Sequence, residues 1–234
     1  MPPGRKNNWF DFSALMGASG LRLLLSRRDD QNGGQPLAQH REILGRELGF
    51  SQGDLAVPHQ VHGTQVDWAD DGRVYPQTDG LLAANPEPVL TLQVADCAPV
   101  FLYHAPSRTR GLVHAGWRGL AGGVLAAAVD HLRDRDIGPG QVVAVIGPVI
   151  GPECYQVGPE VAAQFDTRFL TASPDGSYQL DLPGVVRSRL EDAGVRAENI
   201  ATAGICTKCD SRCHSYRRDG QRAGRMVAFF YEQG

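Results

Sequence analysis

The sequence lacks any apolar run of the roughly 18–20 residues that a membrane-spanning helix needs. Its N-terminus carries Arg5 and Lys6, but Asp11 interrupts the segment before any apolar stretch long enough to direct export. We therefore expect a cytoplasmic protein with no membrane partner.

An excess of charge of one sign is also lacking. Lys and Arg total 23 against 26 Asp and Glu, so the formal net charge is −3, and the basic residues are scattered along the chain. Such a distribution gives no electrostatic footprint for nucleic acid. A small-molecule partner is favoured, and the composition does not indicate an oligomeric state.

Cysteines are few and are not arranged for disulfide bonding. There are five, an odd number, and three of them fall within residues 206–213, which does not suit a disulfide framework. The tail segment CTKCDSRCH (206–214) has enough donors for a tetrahedral zinc ion, but it is more compact than zinc modules usually are. We therefore interpret Cys209 and Cys213 as plain thiols, with a second metal or a redox pair as the alternatives.

Linkers, internal repeats and low-complexity segments are absent from the sequence. The 28 Gly and 15 Pro are spread along the chain, as expected for short strands joined by tight turns. Residues 1–20 show no periodicity and are expected to form a loosely attached arm, followed by a single domain over residues 21–234. Strand and helix patterns alternate irregularly, which favours mixed sheets with helices on the outer faces, in the α/β or mixed α+β class. Helices are predicted over residues 37–48, 119–132, 159–165 and 181–193.

What the sequence does contain is a strand–turn–strand pattern over residues 89–114. This pattern places Cys97 and His114 at the ends of neighbouring strands, beside small or polar loop residues. A thiolate and an imidazole held together suit zinc or copper, and a catalytic site of this kind needs a third ligand. His62 in PHQVHG is the best candidate, with His59 as its competitor, because an extended segment would point the two to opposite faces. From the residues alone, structural roles for Cys97 and His114 remain open.

Five segments of the chain match the motifs of a known family: QVHG (60–63), ADCAPV (95–100), HAGWRG (114–119), IGPVIGPECYQVGPEV (146–161) and SYRRDG (215–220). They resemble the bacterial YfiH-type family, also called the multicopper polyphenol oxidase or laccase-domain family. The resemblance covers roughly residues 55–234 and implies that this domain is catalytic. It implies a layered α/β/β/α sandwich, metal ligands at His62, Cys97 and His114, and purine nucleoside phosphorylase activity combined with adenosine deaminase activity. The implied metal is zinc, with copper less favoured, and the implied substrates are phosphate and a purine nucleoside (adenosine, inosine, guanosine or methylthioadenosine).

The resemblance also indicates residues around the metal. Arg27, in an SRR loop, lies where the family has an arginine that could bind an anion, although the glycines that follow it come later here. Arg118 in HAGWRG follows a tryptophan beside a proposed ligand and is a better candidate for holding phosphate, with pairing to a structural carboxylate as the alternative. Asp96 is expected to orient a metal ligand. Of the paired Arg217 and Arg218, one is expected to be structural.

Three other functions fit parts of the sequence. A copper-dependent polyphenol oxidase needs many histidines, usually in His-x-His pairs, whereas this chain has seven histidines and no such pair. A hydrolase that edits a peptidoglycan precursor would use Cys97 as its nucleophile with a histidine base. A binding module without catalysis would have a metal-free pocket. The sequence indicates neither the preferred nucleoside nor the proton donor to the leaving purine.

Overall fold

Most of the apolar segments pair into two six-stranded mixed sheets. The structure, a computed structural model, describes residues 8–28 and 36–233. The first sheet has the order β1 (Trp9–Asp11), β2 (Leu21–Ser26), β15 (Met226–Glu232), β7 (Val89–Val94), β3 (Leu55–Pro58) and β5 (Val74–Tyr75). The second has the order β14 (Ile200–Thr202), β10 (Val143–Ile146), β8 (Ala98–His104), β9 (Thr109–Ala115), β6 (Gly80–Ala83) and β4 (Val66–Trp68). A small third sheet has the order β11 (Gln156–Val157), β13 (Tyr178–Leu180) and β12 (Leu170–Ala172).

The α-helices of the described residues cover the outer faces of the sheets or connect their strands. No helix within residues 8–28 and 36–233 combines the length and the apolar character needed to cross a membrane. The helices are α1 (Leu37–Glu47), α2 (Trp117–Gly122), α3 (Val124–Arg133), α4 (Pro159–Ala162), α5 (Leu182–Asp192) and α6 (Tyr216–Asp219).

Strand β15 shows why the first sheet has a layer on each side. Its sequence MVAFFYE is apolar at successive positions because both faces of the strand are buried. Ala228 and Phe230 pack towards the second sheet, where the rings of Phe230 and Phe101 meet edge to face at a centroid distance of 5.6 Å. Phe229 lies on the opposite face, in the cluster that contains Leu44 of α1. Truncating one such buried ring to alanine typically costs about 3–5 kcal/mol of stability.

Strand β8 is buried on both faces in the same way. Phe101 belongs to the core between the sheets, whereas Val100 and Leu102 belong to the core that contains Leu125 of α3 and Val186 of α5. The layers therefore run from α1 through the first and second sheets to α3 and α5. Both the mixed α/β class and the layered sandwich implied by the resemblance are confirmed.

Residues 8–20 are packed more closely than their composition predicts. Strand β1 pairs antiparallel with β2, and the side chains of Trp9, Phe10 and Met16 are buried. Burial of these apolar side chains stabilises a segment whose sequence shows no periodicity. The expected loose arm is thus corrected for residues 8–20, residues 1–7 lie outside the described part of the chain, and the single domain over 21–234 stays a prediction.

The helix predicted over residues 119–132 is in fact two helices. Helix α2 ends and α3 begins at Gly123, whose φ of 95° lies in the left-handed region. A continuous helix cannot pass through a residue in this conformation, and glycine adopts it without a steric penalty.

The other predicted helices differ in their outcome. The one over residues 37–48 is confirmed as α1. The segment over 159–165 forms only the single turn Pro159–Ala162. The helix over 181–193 is confirmed as α5, and the carboxylate of Asp181 caps it by accepting a hydrogen bond from a backbone N–H of its first turn at 2.9 Å.

Candidate active site

The β8–β9 hairpin brings two of the predicted ligands together. The strands pair antiparallel, with Pro99 opposite His114 and Ala98 opposite Ala115. Cys97 directly precedes β8 and His114 lies near the end of β9, so both side chains lie at the same end of the hairpin, as the sequence pattern predicts. This end belongs to the centre of the second sheet, where the backbone is held on both sides.

The third ligand, His62, lies in the loop between β3 and β4. Its φ of 60° is unusual for a residue with a side chain. The carboxylate of Asp79 stabilises this loop by accepting hydrogen bonds from the backbone N–H groups of Val61, His62 and Gly63 at 3.1, 3.0 and 2.7 Å. Three donors on one carboxylate fix the loop backbone and therefore the position of the imidazole.

Asp79 also positions His114. Its Oδ1 lies 2.8 Å from Nδ1 of that imidazole, and the Asp79 side chain is fully buried. Because Nδ1–H donates to the carboxylate, Nε2 is left with its lone pair for a metal ion, as in many protein metal sites. Burial lowers the pKa of His114, but the hydrogen bonds to Asp79 and Cys97 outweigh it and raise this pKa to about 9.

His62, Cys97 and His114 form a compact set of donors, which we name the His–Cys–His cluster. One ligand atom from each residue lies within 4.8 Å of the other two. Burial raises the pKa of the Cys97 thiol, but hydrogen bonds from His114 and His62 outweigh it and lower the pKa to about 6. Two imidazoles and a thiolate with one open side match the donor set of a catalytic zinc site. The residues therefore fit a metal ion.

A cleft of about 520 Å³ opens over the His–Cys–His cluster. His114 forms its buried floor, whereas His62 is exposed. Burial raises the pKa of Tyr155 in its wall to about 12, so this phenol stays neutral. The cleft is lined by both polar and aromatic side chains: Gln60, His62, Gln93, Val94, Ala95, Asp96, Cys97, His114, Trp117, Arg118, Tyr155, Tyr216, Arg217 and Arg225.

The arginines of the cleft are held to different degrees. Arg118 is exposed, and its guanidinium lies over the ring of Trp117 at 4.3 Å. Arg217 donates from Nη1 to a backbone carbonyl at 2.6 Å and stacks on Tyr155. Its neighbour Arg218 donates to the carbonyls of residues 207, 208, 210 and 213 and pairs with Asp219, so it is the structural member of the pair.

Two other predicted site residues lie elsewhere. Arg27, at the end of β2, lies over the ring of Phe10 at 4.9 Å and is not among the described residues that line the cleft. His59 is exposed and does not belong to the metal-binding groups of residues 8–28 and 36–233.

Asp96 has a different role from the expected one. Its φ is 87°, and its carboxylate accepts hydrogen bonds from the Thr207 hydroxyl at 2.6 Å and from the Arg217 N–H at 2.7 Å. Both oxygens are occupied by these donors, so Asp96 fixes the C-terminal segment against the cleft. The carboxylate that contacts two of the predicted ligands is Asp79, through the backbone N–H of His62 and the ring of His114.

Sequence reasoning missed Asp79 and one further grouping. Asp79 follows Thr78 directly before β6, and only the β6–β9 pairing shows that it reaches His114. The signal that could have indicated Asp79 was its position as a polar residue at the end of a predicted strand. The structure also joins three cysteines that the sequence did not connect, Cys154, Cys206 and Cys209.

Comparison with known proteins identifies the family of the chain. The family model described as multi-copper polyphenol oxidoreductase laccase matches residues 19–232. A protein from Xylella fastidiosa named purine nucleoside phosphorylase is 39% identical over 240 residues, covering 92% of this chain and 89% of that protein. One of the same name from Deinococcus radiodurans is 36% identical over 205 residues, covering 86% and 78%. The crystal structure of YlmD from Geobacillus stearothermophilus has a TM-score of 0.89 at 27% identity, covering 98% of this chain and 97% of that one. The chain therefore belongs to the multi-copper polyphenol oxidoreductase laccase family, the YfiH-type family that its motifs resemble.

Proposed function

We propose that this protein is a zinc-dependent purine nucleoside phosphorylase that also deaminates adenosine slowly. Phosphate would attack the anomeric carbon of the nucleoside, and the bond from that carbon to the purine nitrogen would break to give the free base and ribose 1-phosphate. The observation that carries the proposal is the open-sided His–Cys–His cluster at the floor of a cleft that three arginines line. The names of the two relatives support it.

The His–Cys–His cluster would hold the zinc ion. When bound, the ion supplies Lewis acidity, which polarises a substrate oxygen and makes water a nucleophile near neutral pH. In the metal-free protein the contact between Cys97 and His114 lowers the pKa of the thiol and raises the pKa of the imidazole, which favours a thiolate–imidazolium pair near neutral pH. A bound metal ion would take the place of the proton on His114 Nε2, and the Nδ1 proton would stay on the Asp79 side.

Phosphate would be held by the arginines of the cleft. A guanidinium can donate two parallel hydrogen bonds to a phosphate, which fixes its orientation as well as its charge. Arg217 is the better placed because Gln156 O and the Tyr155 ring already restrict its side chain. Arg118, which is exposed and lies over the Trp117 ring, is the second candidate. We assign to this pair the phosphate-binding role that the sequence also suggested for Arg27.

The aromatic side chains of the cleft would bind the nucleoside. Trp117 and Tyr216 line the cleft together with Tyr155, and Tyr216 is 52% exposed. Flat rings of this kind stack on purine bases without strong preference among them. This supports adenosine, inosine, guanosine and methylthioadenosine as substrates of one site.

The ionisation of Cys97 favours a second candidate function. A thiol whose pKa is lowered to about 6, against the effect of burial, by two histidines is a nucleophile at neutral pH. Cys97 could then act in a hydrolase that edits a peptidoglycan precursor. A chelator discriminates, because the phosphorylase should lose activity and regain it with zinc, whereas a Cys–His hydrolase should keep its activity. A multicopper oxidase has less support, since in the described residues only two histidines join a metal-binding group.

Site variants test the proposal. His114→Ala should abolish phosphorolysis and deamination together, because both need the same ion. Arg217→Gln should raise the KM for phosphate and spare deamination, because water replaces phosphate in that reaction. Arg222→Gln is the matched control, since Arg222 is exposed and does not line the cleft. Product chromatography after incubation with adenosine measures both reactions. Loss of deamination in Arg217→Gln to the same extent as phosphorolysis would contradict the assignment of phosphate binding.

A further inference from the structure

Three cysteine side chains converge at a site outside the cleft. Cys154 lies in the short 3-10 turn Pro152–Cys154, and Cys206 and Cys209 lie in the C-x-x-C segment that follows β14. Their Sγ atoms all lie within 4.8 Å of one another, and those of Cys154 and Cys209 are 3.3 Å apart. We name this set the three-cysteine cluster. All of its members are free thiols.

Backbone hydrogen bonds hold the two segments of the cluster together. Residues Val149 and Cys206 form a parallel bridge, in which Val149 N donates to Ile205 O at 3.1 Å and Thr207 N donates to Val149 O at 3.2 Å. Gly151 N–H donates to Cys206 Sγ at 3.2 Å. Such an N–H donor stabilises a thiolate, so the backbone is arranged around sulfur before any ion binds.

The three-cysteine cluster is accessible to solvent, and its sulfur atoms lie close enough to repel one another as thiolates. Cys209 is exposed, and Cys154 and Cys206 are partly exposed, beside a shallow depression formed with Gly204, Ile205, Asp210 and Ser211. The sulfur atoms of Cys154 and Cys209 are 3.3 Å apart. Thiolates this close repel one another, and a bound cation would remove that repulsion.

We propose that Cys154, Cys206 and Cys209 form a second metal site, separate from the His–Cys–His cluster, that binds one zinc ion through three thiolates. Soft thiolate donors select zinc over magnesium or calcium. The three thiol protons pass to solvent as the three sulfur–metal bonds form, so the site carries one net negative charge. Cys209 is the exposed member of the set, so a fourth ligand could reach the ion from solvent on that side.

A metal at this site would act on the cleft through Thr207. The Thr207 hydroxyl donates to the carboxylate of Asp96, which directly precedes Cys97. Arg218 holds the same segment through the carbonyls of residues 207 and 208. The ion would tie the loop that carries Cys154 to the segment that carries Cys206, and thereby stiffen one wall of the cleft.

The cluster differs from the interpretation that the sequence favours. The tail is too compact to surround an ion by itself, as expected, and Cys213 is fully buried in the core between the sheets and does not join. The third donor comes instead from Cys154, which lies 55 residues before Cys209. That contact depends on the pairing of two loops and is invisible in the spacing of the tail.

Zinc titration of the reduced, metal-free full chain tests the proposal. With zinc alone in competition with a chromogenic chelator, under anaerobic conditions, the unmodified protein should bind two zinc ions per chain. Cys209→Ser and Cys154→Ser should each bind one, because two thiolates do not retain the ion against the chelator. Cys97→Ala should also bind one, at the three-cysteine cluster. Cys213→Ala is the matched control and should still bind two.

Cadmium titration supplies a readout that does not depend on stoichiometry. In the Cys97→Ala background, the ultraviolet charge-transfer absorption of cadmium thiolate should persist, and adding Cys209→Ser should remove most of it. Circular dichroism identifies variants that fold. No zinc ion in folded Cys97→Ala, or two zinc ions in folded Cys209→Ser, would overturn the proposal.

Discussion

Asp79 is the residue on which the geometry of the His–Cys–His cluster most depends. Its fully buried carboxylate accepts from the backbone of the His62 loop and from the ring of His114. The Asp79 side chain thus positions two of the predicted ligands, His62 in the loop after β3 and His114 in β9. A buried carboxylate with this many donors cannot be replaced by an apolar group without leaving those donors unpaired.

Asp79→Asn should lower zinc affinity at the His–Cys–His cluster by about 10–100-fold, the usual cost of changing a residue that orients a ligand. The amide keeps the shape of the side chain but places N–H groups against N–H donors. Competition with a chromogenic chelator measures the change. Asp67→Asn is the control, because Asp67 accepts from the Thr78 hydroxyl at 2.8 Å and contacts no metal ligand. Equal zinc affinity in both variants would contradict the role of Asp79.

The ionisation of Cys97 can be tested in the metal-free protein. Its alkylation rate should rise with pH around a midpoint near its pKa of about 6, because only the thiolate reacts. Peptide mass spectrometry after brief iodoacetamide treatment separates Cys97 from Cys213, whose pKa burial raises to about 12. Cys213 should stay unmodified at neutral pH. A Cys97 midpoint near about 8.5, the value of an unperturbed thiol, would show that the imidazole contacts do not form.

At the scale of elements, the connection from β9 to α2 lets the backbone pass close to the ligands. A Cβ atom on Gly116 would lie 3.0 Å from Cys97 Sγ and 3.2 Å from His62 Cδ2. The φ of Gly116 is −85°, a value that any residue adopts. Glycine is therefore required here by the lack of space and not by backbone conformation.

Gly116→Ala should weaken zinc binding, because the added methyl group would displace the Cys97 and His62 side chains that line the cleft. The unfolding midpoint in urea should be nearly unchanged. Gly138→Ala is the matched control. Its φ is −67°, and the new Cβ would meet only the flexible Gln141 side chain at 3.4 Å. If Gly116→Ala binds zinc as the control does, the cluster has more room than the structure indicates.

At the scale of the whole molecule, the sequence predicts individual strands and helices better than the contacts between them. The strands over residues 89–115 and the positions of Cys97 and His114 at their ends were predictable because apolar runs and loop boundaries are local features. The contact between Asp79 and His114 was not, because it depends on β6 lying beside β9. The same holds for Cys154, which meets the tail only through loop pairing. The order of strands in a sheet is set by long-range packing, which periodicity does not encode.

The layered fold places the whole candidate site on one side of the second sheet. The loop after β3, the residue before β8 and strand β9 supply the His–Cys–His cluster, and the C-terminal segment 207–217 closes the cleft through Asp96. Arginines that can hold phosphate lie in the same cleft as the His–Cys–His cluster. Such an arrangement is expected to place phosphate and the nucleoside side by side for one reaction.

The consumption of phosphate tests the central claim most directly. Zinc-loaded protein incubated with adenosine and phosphate should consume one phosphate for each adenine released, and ribose 1-phosphate should appear in the same amount. This result follows if phosphate is the nucleophile at the anomeric carbon. Release of adenine with free ribose and no loss of phosphate, or no turnover of nucleosides while a cell-wall peptide precursor is hydrolysed, would contradict it.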